Sequence, residues 1–184
     1  PREDLEALAA AIADTPAIVV SDEVWEHVVF DGRAHVPVLA IPGLRERSVK
    51  IGSAGKIFSL TGWKVGLVAA APPILKAVAK THQFLAFTTA PNLQAAVAYG
   101  LGKDDAYFAA MRLRLQGLRD HFSSGLRSAG FTVLPSAGTY FVCADLAPLG
   151  VTDDQAFCRR LVSEAKVAAI PVSAFYSGDA IRHV

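Results

Sequence analysis

Two lysines and a serine stand close together in the stretch SAGKIFSLTGWKVG, which runs from Ser53 to Gly66. Lys56 follows Ser53 by three residues, and Lys64 comes eight residues after Lys56. The simplest interpretation is a solvated surface lysine, since lysines are usually exposed. Two chemical interpretations compete with it. Ser53 and Lys56 could be the nucleophile and base of an acyl-transfer enzyme, or Lys56 could form a Schiff base with an aldehyde.

The rest of the chain does not favour acyl transfer. That class also needs Ser-Asp-Asn and Lys-Thr-Gly motifs, whereas here Ser21-Asp22 is followed by Glu23 and no Lys-Thr-Gly occurs. A phosphate-binding P-loop would need a glycine five residues before Gly55, where Lys50 stands. These comparisons leave a Schiff-base lysine as the chemical interpretation to pursue.

A Schiff-base lysine must be able to lose its proton, which desolvation or a neighbouring cation favours. Lys64 can supply that cation beside Lys56 and can also bind an anion. If the aldehyde is pyridoxal phosphate, the site also needs a carboxylate for the pyridinium nitrogen and donors for the phosphate and ring oxygen. Asp22 can be the carboxylate, Ser53 and Lys64 can bind the phosphate, and Trp25 lies close enough in sequence to reach the ring.

The elements predicted around these residues form an α/β sheet. An apolar helical face, with Leu5 and Ile12, precedes a short buried strand, AIVV, that ends at Ser21-Asp22. A second strand is predicted over residues 48–52, a third from Val65, and a helix from Pro73. Ligands of such sheets bind beyond the carboxyl ends of strands, where Asp22 and Ser53 both lie.

The second half of the chain has an α+β pattern. The stretch from Gly100 to Lys103 is a predicted boundary, so we expect one domain over residues 1–102 and another over residues 103–184. A long helix is predicted from Asp104, with an apolar face that includes Leu118 and Phe122. Strands are predicted at FTVL, GTYFVCADL and VAAIPV, and Thr152 with Gln155 reads as the capping box of another helix.

Composition narrows the functional class. The net charge is +1 and 52% of residues are hydrophobic, which predicts a sizeable core and argues against nucleic-acid binding. No apolar run reaches membrane-spanning length, so the cytoplasm is the default compartment. Cys143 and Cys158 lack metal-ligand spacing and read as reduced core thiols. The histidines show no ligand spacing either, and Glu23 and Glu26 need not face the site, so no metal is expected.

Two long motifs resemble a known family. SDEVWEHVVFDG, followed by SVKIGSAGKIFSLTGWKVG, resembles the fold-type I, class I/II pyridoxal-phosphate aminotransferases. Within that family the chain is similar to kynurenine/glutamine aminotransferases, cysteine-conjugate β-lyases and N-succinyldiaminopimelate aminotransferases. GTYFVCADLAPLG and VAAIPVSAFY resemble the small-domain strands of the last group. The resemblance implies a mainly parallel sheet in a large cofactor-binding domain, followed by a small α+β C-terminal domain.

The resemblance also implies roles for individual residues. Lys56 would hold the cofactor and carry a proton, and Asp22 would keep the pyridinium nitrogen protonated. Ser53 and Lys64 would bind the phosphate, with Lys64 where many relatives have arginine. Trp25 stands where the family usually has tyrosine. Its indole N–H can still donate to the ring oxygen, or the ring simply packs in the core; both interpretations stay open.

The resemblance predicts transfer of an amino group from an amino acid, with N-succinyldiaminopimelate as first choice, to a 2-oxo acid such as 2-oxoglutarate. Alternatives are a kynurenine or glutamine transaminase, a β-lyase, and a catalytically silent relative or binding module. The chain begins with Pro1, and its only late arginine, Arg182, is not followed by the family's aromatic pattern. We therefore expect a fragment, inactive alone, of a protein that is a homodimer when complete.

Overall fold

The computed structural model describes residues 1–177, so the candidate Arg182 lies outside the described residues. The chain divides into two compact units, Pro1–Arg112 and the residues from Leu113 onward. That division falls inside the long helix of the second half, whereas the predicted domain boundary at residues 102 and 103 remains a prediction.

The first unit contains four helices, the beginning of a fifth, and a three-stranded sheet. The helices are α1 (Arg2–Ala11), α2 (Ala54–Ile57), α3 (Pro72–Leu85), α4 (Pro91–Leu101) and α5 (Asp105–Ser128), and the strands are β1 (Val19–Asp22), β2 (Ser48–Ser53) and β3 (Gly66–Ala70). The strand order is β1-β2-β3, with β1 parallel and β3 antiparallel to β2. Helices and a mixed sheet alternate along the chain, which confirms the α/β class.

The main core of this unit lies between α1 and the long connection from β1 to β2. Three side chains of that connection, Val38, Ile41 and Leu44, are buried together, and the apolar face of α1 packs on them. The core covers only one face of β1, so Val19 contacts it while Val20 is 65% exposed. The prediction of a wholly buried AIVV strand was therefore wrong: β1 alternates like a strand with one covered face.

A second, smaller core supports the segment that carries Lys56. Ala54 of α2, Val65 before β3 and Val97 of α4 are buried together, with Phe58 packed against them. Gly100 is part of this packing, because a Cβ there would come within 2.8 Å of the Phe58 ring. The start of α2 and the start of β3 are thus held against the same helix.

The second unit is built from the later part of α5, two short strands and a short helix. The strands β4 (Thr132–Val133) and β5 (Ala144–Asp145) are antiparallel, and the helix α6 spans Asp154–Arg160. Gly130 follows α5 with a left-handed φ of 92°, the conformation that glycine commonly adopts just after a helix. No helix among the described residues is both long and apolar enough to cross a bilayer.

Five predictions for this unit were wrong in detail. Most of GTYFVCADL is not strand, and the described part of VAAIPVSAFY contains a 3₁₀ turn (Val172–Phe175) but no strand. Leu118 and Phe122 of α5 are exposed. The N-cap of α6 is Asp153 rather than Thr152, since its Oδ1 accepts a hydrogen bond from the Ala156 N–H at 2.8 Å. Cys158 is buried as expected, but Cys143 is exposed.

Candidate active site

One edge of the sheet in the first unit collects the predicted site residues. The carboxyl ends of the parallel strands β1 and β2 lie there, with Asp22 opposite Ile51 in the register. Because β3 is antiparallel to β2, its amino end lies at the same edge, and Ser53 pairs with Gly66. Asp22, Ser53 and the residues just before β3, including Lys64, are therefore brought to one edge.

Ser53 is the last residue of β2 and the N-cap of α2. Its backbone is extended, with φ −140° and ψ 113°, and its hydroxyl makes no capping hydrogen bond. The hydroxyl of an N-cap serine usually accepts a hydrogen bond from a backbone N–H in the first turn of its helix. Here the turn is held instead by its backbone, since the Ala54 N–H donates to the Val65 carbonyl at 3.1 Å.

Lys56 and Trp25 meet side by side. Lys56 is the third residue of α2, and its Nζ lies 5.3 Å from the centroid of the Trp25 ring. That distance is within the range of a cation–π contact. Both side chains are half-buried, so the ammonium lies over an aromatic face rather than in open solvent. The structure thus places two residues that are far apart in sequence next to each other.

Gly55 fixes the turn on which Lys56 stands. A Cβ at this position would lie 3.0 Å from the Thr61 Cα and 3.2 Å from the Leu60 carbonyl oxygen. The Leu60 N–H donates to the Gly55 carbonyl at 2.9 Å, which closes the loop after α2. Any larger residue at position 55 would push this loop away from α2.

Lys64 has an unusual backbone. It follows the 3₁₀ turn Thr61–Trp63 with φ 56° and ψ 39°, in the left-handed region, and its residue is exposed. A residue with a Cβ occupies that region at a cost of about 1–2 kcal/mol. The next residue, Val65, is buried in the second core with Ala54 and Val97. Among the described non-glycine residues, Asp31, Ser59, Phe87, Thr139 and Lys166 also have positive φ, so this conformation does not by itself mark a site.

Asp22 ends β1 with its side chain exposed. Its Oδ1 accepts a hydrogen bond from the Val24 N–H at 3.2 Å, which starts the turn that leads to Trp25. The carboxylate is therefore oriented by the backbone two residues later. A single turn thus connects two of the predicted cofactor residues.

A cluster of charged side chains, which includes Glu23, lies next to Asp22. Glu23 is only 6% exposed, and its carboxylate accepts hydrogen bonds from the Ser21 hydroxyl at 3.0 Å and the Val38 N–H at 2.8 Å. His35 Nε2 lies 2.7 Å from Glu23 Oε2, and Lys50 Nζ lies 3.9 Å from the same oxygen. Lys50 also forms an ion pair with Glu26.

This cluster contains side chains that could bind a metal ion, but the Lys50 ammonium already lies beside its carboxylates. Ligand atoms of Glu23, Glu26 and His35 all lie within 4.8 Å of one another. The Lys50 ammonium contacts both carboxylates, so a metal ion would have to displace it. The arrangement is that of a buried ion-pair network. The sequence held a signal for it: two-residue spacing puts Ser21 and Glu23 on one strand face.

His27 stacks on α5 within the same unit. Its ring and the Phe108 ring have centroids 4.5 Å apart at an angle of 22°. Burial lowers the pKa of His27, and the nearby basic groups Lys50, His35 and Arg112 add to that effect, while Glu26 opposes it. This environment therefore favours the neutral form of the His27 ring.

A separate cleft of about 350 Å³ lies in the same unit, and none of the predicted cofactor residues is among its described lining residues. It runs beside the start of β3 and the ends of α3 and α4. The predicted cofactor residues thus lie at the sheet edge and not along this cleft. The lining residues are Val65, Gly66, Leu67, His82, Thr88, Thr89, Gln94, Val97, Ala98 and Leu101.

Comparison with known proteins defines the class first. The family model for aminotransferase class I and II matches residues 1–183, so the chain belongs to this family. Members of this family with fold type I use pyridoxal 5′-phosphate as cofactor. The resemblance seen in the two long motifs, and the fold class it implied, are thus confirmed.

Individual relatives narrow the comparison further. A probable N-succinyldiaminopimelate aminotransferase of Mycobacterium tuberculosis is 41% identical over 172 residues, which are 94% of this chain and 43% of that protein. Methionine aminotransferase of Escherichia coli is 40% identical, over 95% of this chain and 45% of that protein. Human kynurenine–oxoglutarate transaminase 1 is 34% identical, over 99% of this chain and 47% of that protein.

A solved structure agrees with these relatives. The structure of N-succinyldiaminopimelate aminotransferase from Mycobacterium tuberculosis superposes with a TM-score of 0.95 at 38% identity. It covers 100% of this chain, whereas this chain covers 48% of that one. The chain therefore spans less than half the length of the relatives it matches.

Proposed function

We propose that the protein containing this chain is a pyridoxal-phosphate aminotransferase that moves an amino group from an amino acid to a 2-oxo acid. The observation that carries the proposal is the sheet edge of the first unit. A lysine, a carboxylate, a hydroxyl and a second cation lie there together in a chain of the aminotransferase family. Those are the groups that pyridoxal phosphate chemistry needs from a protein.

The chemistry of these residues fits the cofactor. Asp22 is an exposed carboxylate that can accept a hydrogen bond from a protonated ring nitrogen. Ser53 has a hydroxyl that does not cap its own helix, and Lys64 adds a positive charge for the phosphate. Trp25 offers an indole N–H as a donor for the ring oxygen. When bound, pyridoxal phosphate supplies an electron sink for negative charge at the substrate's Cα.

Lys56 is the residue that we propose for both covalent attachment and proton transfer. Its Nζ would hold the cofactor through its aldehyde, and the same nitrogen, when it is the free amine, would accept the proton from the substrate's Cα. The half-buried position over the Trp25 ring limits where this nitrogen can move. Gly55, which lets the following loop approach closely, holds the backbone of α2 in place.

For the amino donor we propose N-succinyldiaminopimelate, with 2-oxoglutarate as the acceptor. The support is the relative from Mycobacterium tuberculosis, similar both in sequence and in structure. Kynurenine, glutamine and cysteine conjugates are the alternatives, because a kynurenine transaminase is also 34% identical. As in the family, where dimers are typical, we propose that the complete protein is a homodimer, which light scattering would measure.

A donor panel tests the proposal on the full-length protein. Each candidate amino acid is incubated with 2-oxoglutarate, and glutamate formation gives kcat/KM. We expect the highest value for N-succinyldiaminopimelate and no turnover by Lys56→Ala, whose fold is checked by circular dichroism. A protein that shows no visible cofactor absorbance and transaminates no donor would instead be a silent relative or a binding module.

A further inference from the structure

The Glu23 carboxylate joins three segments at the edge that carries Asp22. Its Oε1 accepts from Ser21 in β1 and from the backbone of Val38 in the connection after β1. Its Oε2 contacts His35 of that same connection and Lys50 in β2. A buried carboxylate with this many donors is fixed in position, because moving it would leave a buried charge without partners.

The backbone of Glu23 continues the sheet beyond the end of β1. Its N–H donates to the Ile51 carbonyl at 2.8 Å, next to the last register pair between Asp22 and Ile51. Asp22 therefore stands between two residues, Ser21 and Glu23, that are hydrogen-bonded to each other through their side chains. The two residues that flank Asp22 are therefore both fixed in position by hydrogen bonds.

The geometry also fixes the direction of the Asp22 side chain. Successive side chains of a strand point to opposite faces, so Ser21 and Glu23 share one face and Asp22 is on the other. Lys50 is the register partner of Ser21, and it too contacts the Glu23 carboxylate. The cluster thus anchors one face of the strand end, and the carboxylate of Asp22 must leave from the opposite face.

From this geometry we propose that Glu23 is a positioning residue for Asp22. Its hydrogen bonds to the Ser21 hydroxyl and the Val38 N–H, and its contacts with His35 and Lys50, hold the end of β1 so that Asp22 meets the ring nitrogen of the cofactor. The inference rests on the proposed function. It assigns a role in the site to a residue that touches neither cofactor nor substrate, and it explains why so polar a cluster lies next to the sheet.

The test uses the full-length protein loaded with pyridoxal phosphate that carries ¹⁵N in its ring. Glu23→Gln keeps the shape of the side chain but removes its charge. We expect the ring ¹⁵N resonance to move from the protonated toward the unprotonated position. We also expect kcat to fall about tenfold or more, with a change in KM below about threefold, as for an interaction realised in the transition state. Glu46→Gln, the same change at an exposed glutamate, should leave the ring resonance, kcat and KM unchanged.

A double-mutant cycle separates positioning from general stability. If Glu23 acts through Asp22, then adding Glu23→Gln to Asp22→Asn should lower kcat by less than about threefold further, since coupled residues are non-additive. Melting temperatures are measured for every variant. A Glu23→Gln protein with a lower melting temperature but an unmoved resonance and unchanged kcat overturns the proposal, and so do effects that multiply fully with Asp22→Asn.

Milder variants keep the test decisive if Glu23→Gln does not fold. Ser21→Ala and His35→Gln each remove one partner of the carboxylate, and each should move the resonance in the same direction by a smaller amount. An unmoved resonance in both contradicts the inference. If the wild-type protein binds no pyridoxal phosphate, the proposed function fails and this inference with it. If the wild type shows the protonated resonance and the variants keep it, only this inference fails.

Discussion

Two residues of the site have positions that only their neighbours explain. Lys64 has a left-handed backbone, and Val65, immediately after it, is buried with Ala54 of α2 and Val97 of α4. Asp22 is exposed, yet its direction is set by Glu23 behind it and by the Val24 N–H in front of it. Side chains proposed to contact the cofactor therefore depend on residues that do not.

Replacing Asp22 tests the electrostatic part of the account. A carboxylate at the ring nitrogen stabilises the positive charge there, and loss of one such preorganised group slows the reaction. We expect Asp22→Ala to lower kcat about a hundred- to a thousandfold. The full-length variant should still bind some cofactor, measured by visible absorbance. Near-normal turnover would mean that Asp22 is not the partner of the ring nitrogen.

The sequence predicted the residues proposed to contact the cofactor, but not the side chains that hold them in position. Ser53, Lys56 and Lys64 lie in one short motif, and Asp22 could be added because it ends the preceding strand. Glu23 and His35 were passed over, because their contact joins residues 12 positions apart through a loop without regular pattern. Spacing rules apply inside helices and strands, so contacts made by such loops escape them.

At the level of elements, the predicted N-cap of α6 differs from the observed one by one residue. Thr152 and Gln155 have the spacing of a capping box, but Asp153 has the extended backbone and the hydrogen bond to Ala156. Asp153 also stands beside the acidic first turn, in which Asp154 is buried and accepts from the Ser173 N–H at 2.9 Å. The cap is therefore part of a junction with the 3₁₀ turn that contains Ser173.

Removing this cap should weaken the second unit. Loss of an N-cap side chain costs about 1 kcal/mol, so Asp153→Ala should lower the thermal midpoint of the full-length protein by a few degrees. Thr152→Ala is the matched control and should leave the midpoint unchanged. The opposite ranking, with Thr152→Ala more harmful, would restore the capping box read from the sequence.

His27, whose ring stacks on Phe108 near the start of α5, should make the first unit less stable in acid. Burial lowers the pKa of His27 below its ordinary value of 6.5 in the folded protein, where it stacks on Phe108. The unfolded chain then binds more protons than the folded one as pH falls below about 6.5, so stability is lost in that direction. The charged groups beside His27 are Glu26, Lys50, His35 and Arg112.

Replacing the histidine isolates its share of this effect. His27→Phe keeps an aromatic ring against Phe108 and removes the titrating group. We expect the thermal midpoint of the wild type to fall more than that of His27→Phe between pH 7.5 and 5.5, measured by calorimetry, because only the wild type takes up this proton on unfolding. Equal slopes for the two proteins would show that His27 does not contribute.

Apolar spacing predicted where α1, α5 and the three strands of the first unit lie, but not which side chains of β1 and α5 are covered. The faces of α1 and the three strands of the first unit follow from apolar spacing, and their bounds differ from expectation by a few residues. In the second unit GTYFVCADL has a strand-like composition, yet only Ala144–Asp145 pairs in a sheet. Strand propensity reports a tendency to pack on a sheet, and pairing depends on partners that a local pattern does not contain.

For the molecule as a whole, exposed apolar side chains are the main feature of the surface. Phe84, Leu85 and Phe87, around the end of α3, are 88%, 82% and 78% exposed. Single exposed apolar residues are ordinary, but a contiguous group of this size marks an interaction surface or an aggregation hazard. The relatives that the chain matches are more than twice as long as the aligned stretch.

Residues 1–184 expressed alone should therefore associate and be inactive. We expect light scattering to show aggregates or oligomers, because apolar surface of this extent favours self-association. We also expect no transamination of any donor, because this stretch spans less than half of its aminotransferase relatives. The full-length protein at the same concentration is the control. A monomeric segment of 184 residues that binds pyridoxal phosphate and turns over an amino acid would contradict this expectation.

The most direct test of the account is to find the lysine that holds the cofactor. Borohydride reduction of the full-length holoenzyme fixes the cofactor's aldehyde irreversibly onto the amine that binds it. Digestion and mass spectrometry then locate the modified residue. The account predicts that the pyridoxyl group is on Lys56, within SAGK at the end of β2, and that Lys56→Ala carries none. A pyridoxyl group on Lys64, Lys50 or any other lysine, or on no residue at all, would contradict the assignment of this edge as the active site.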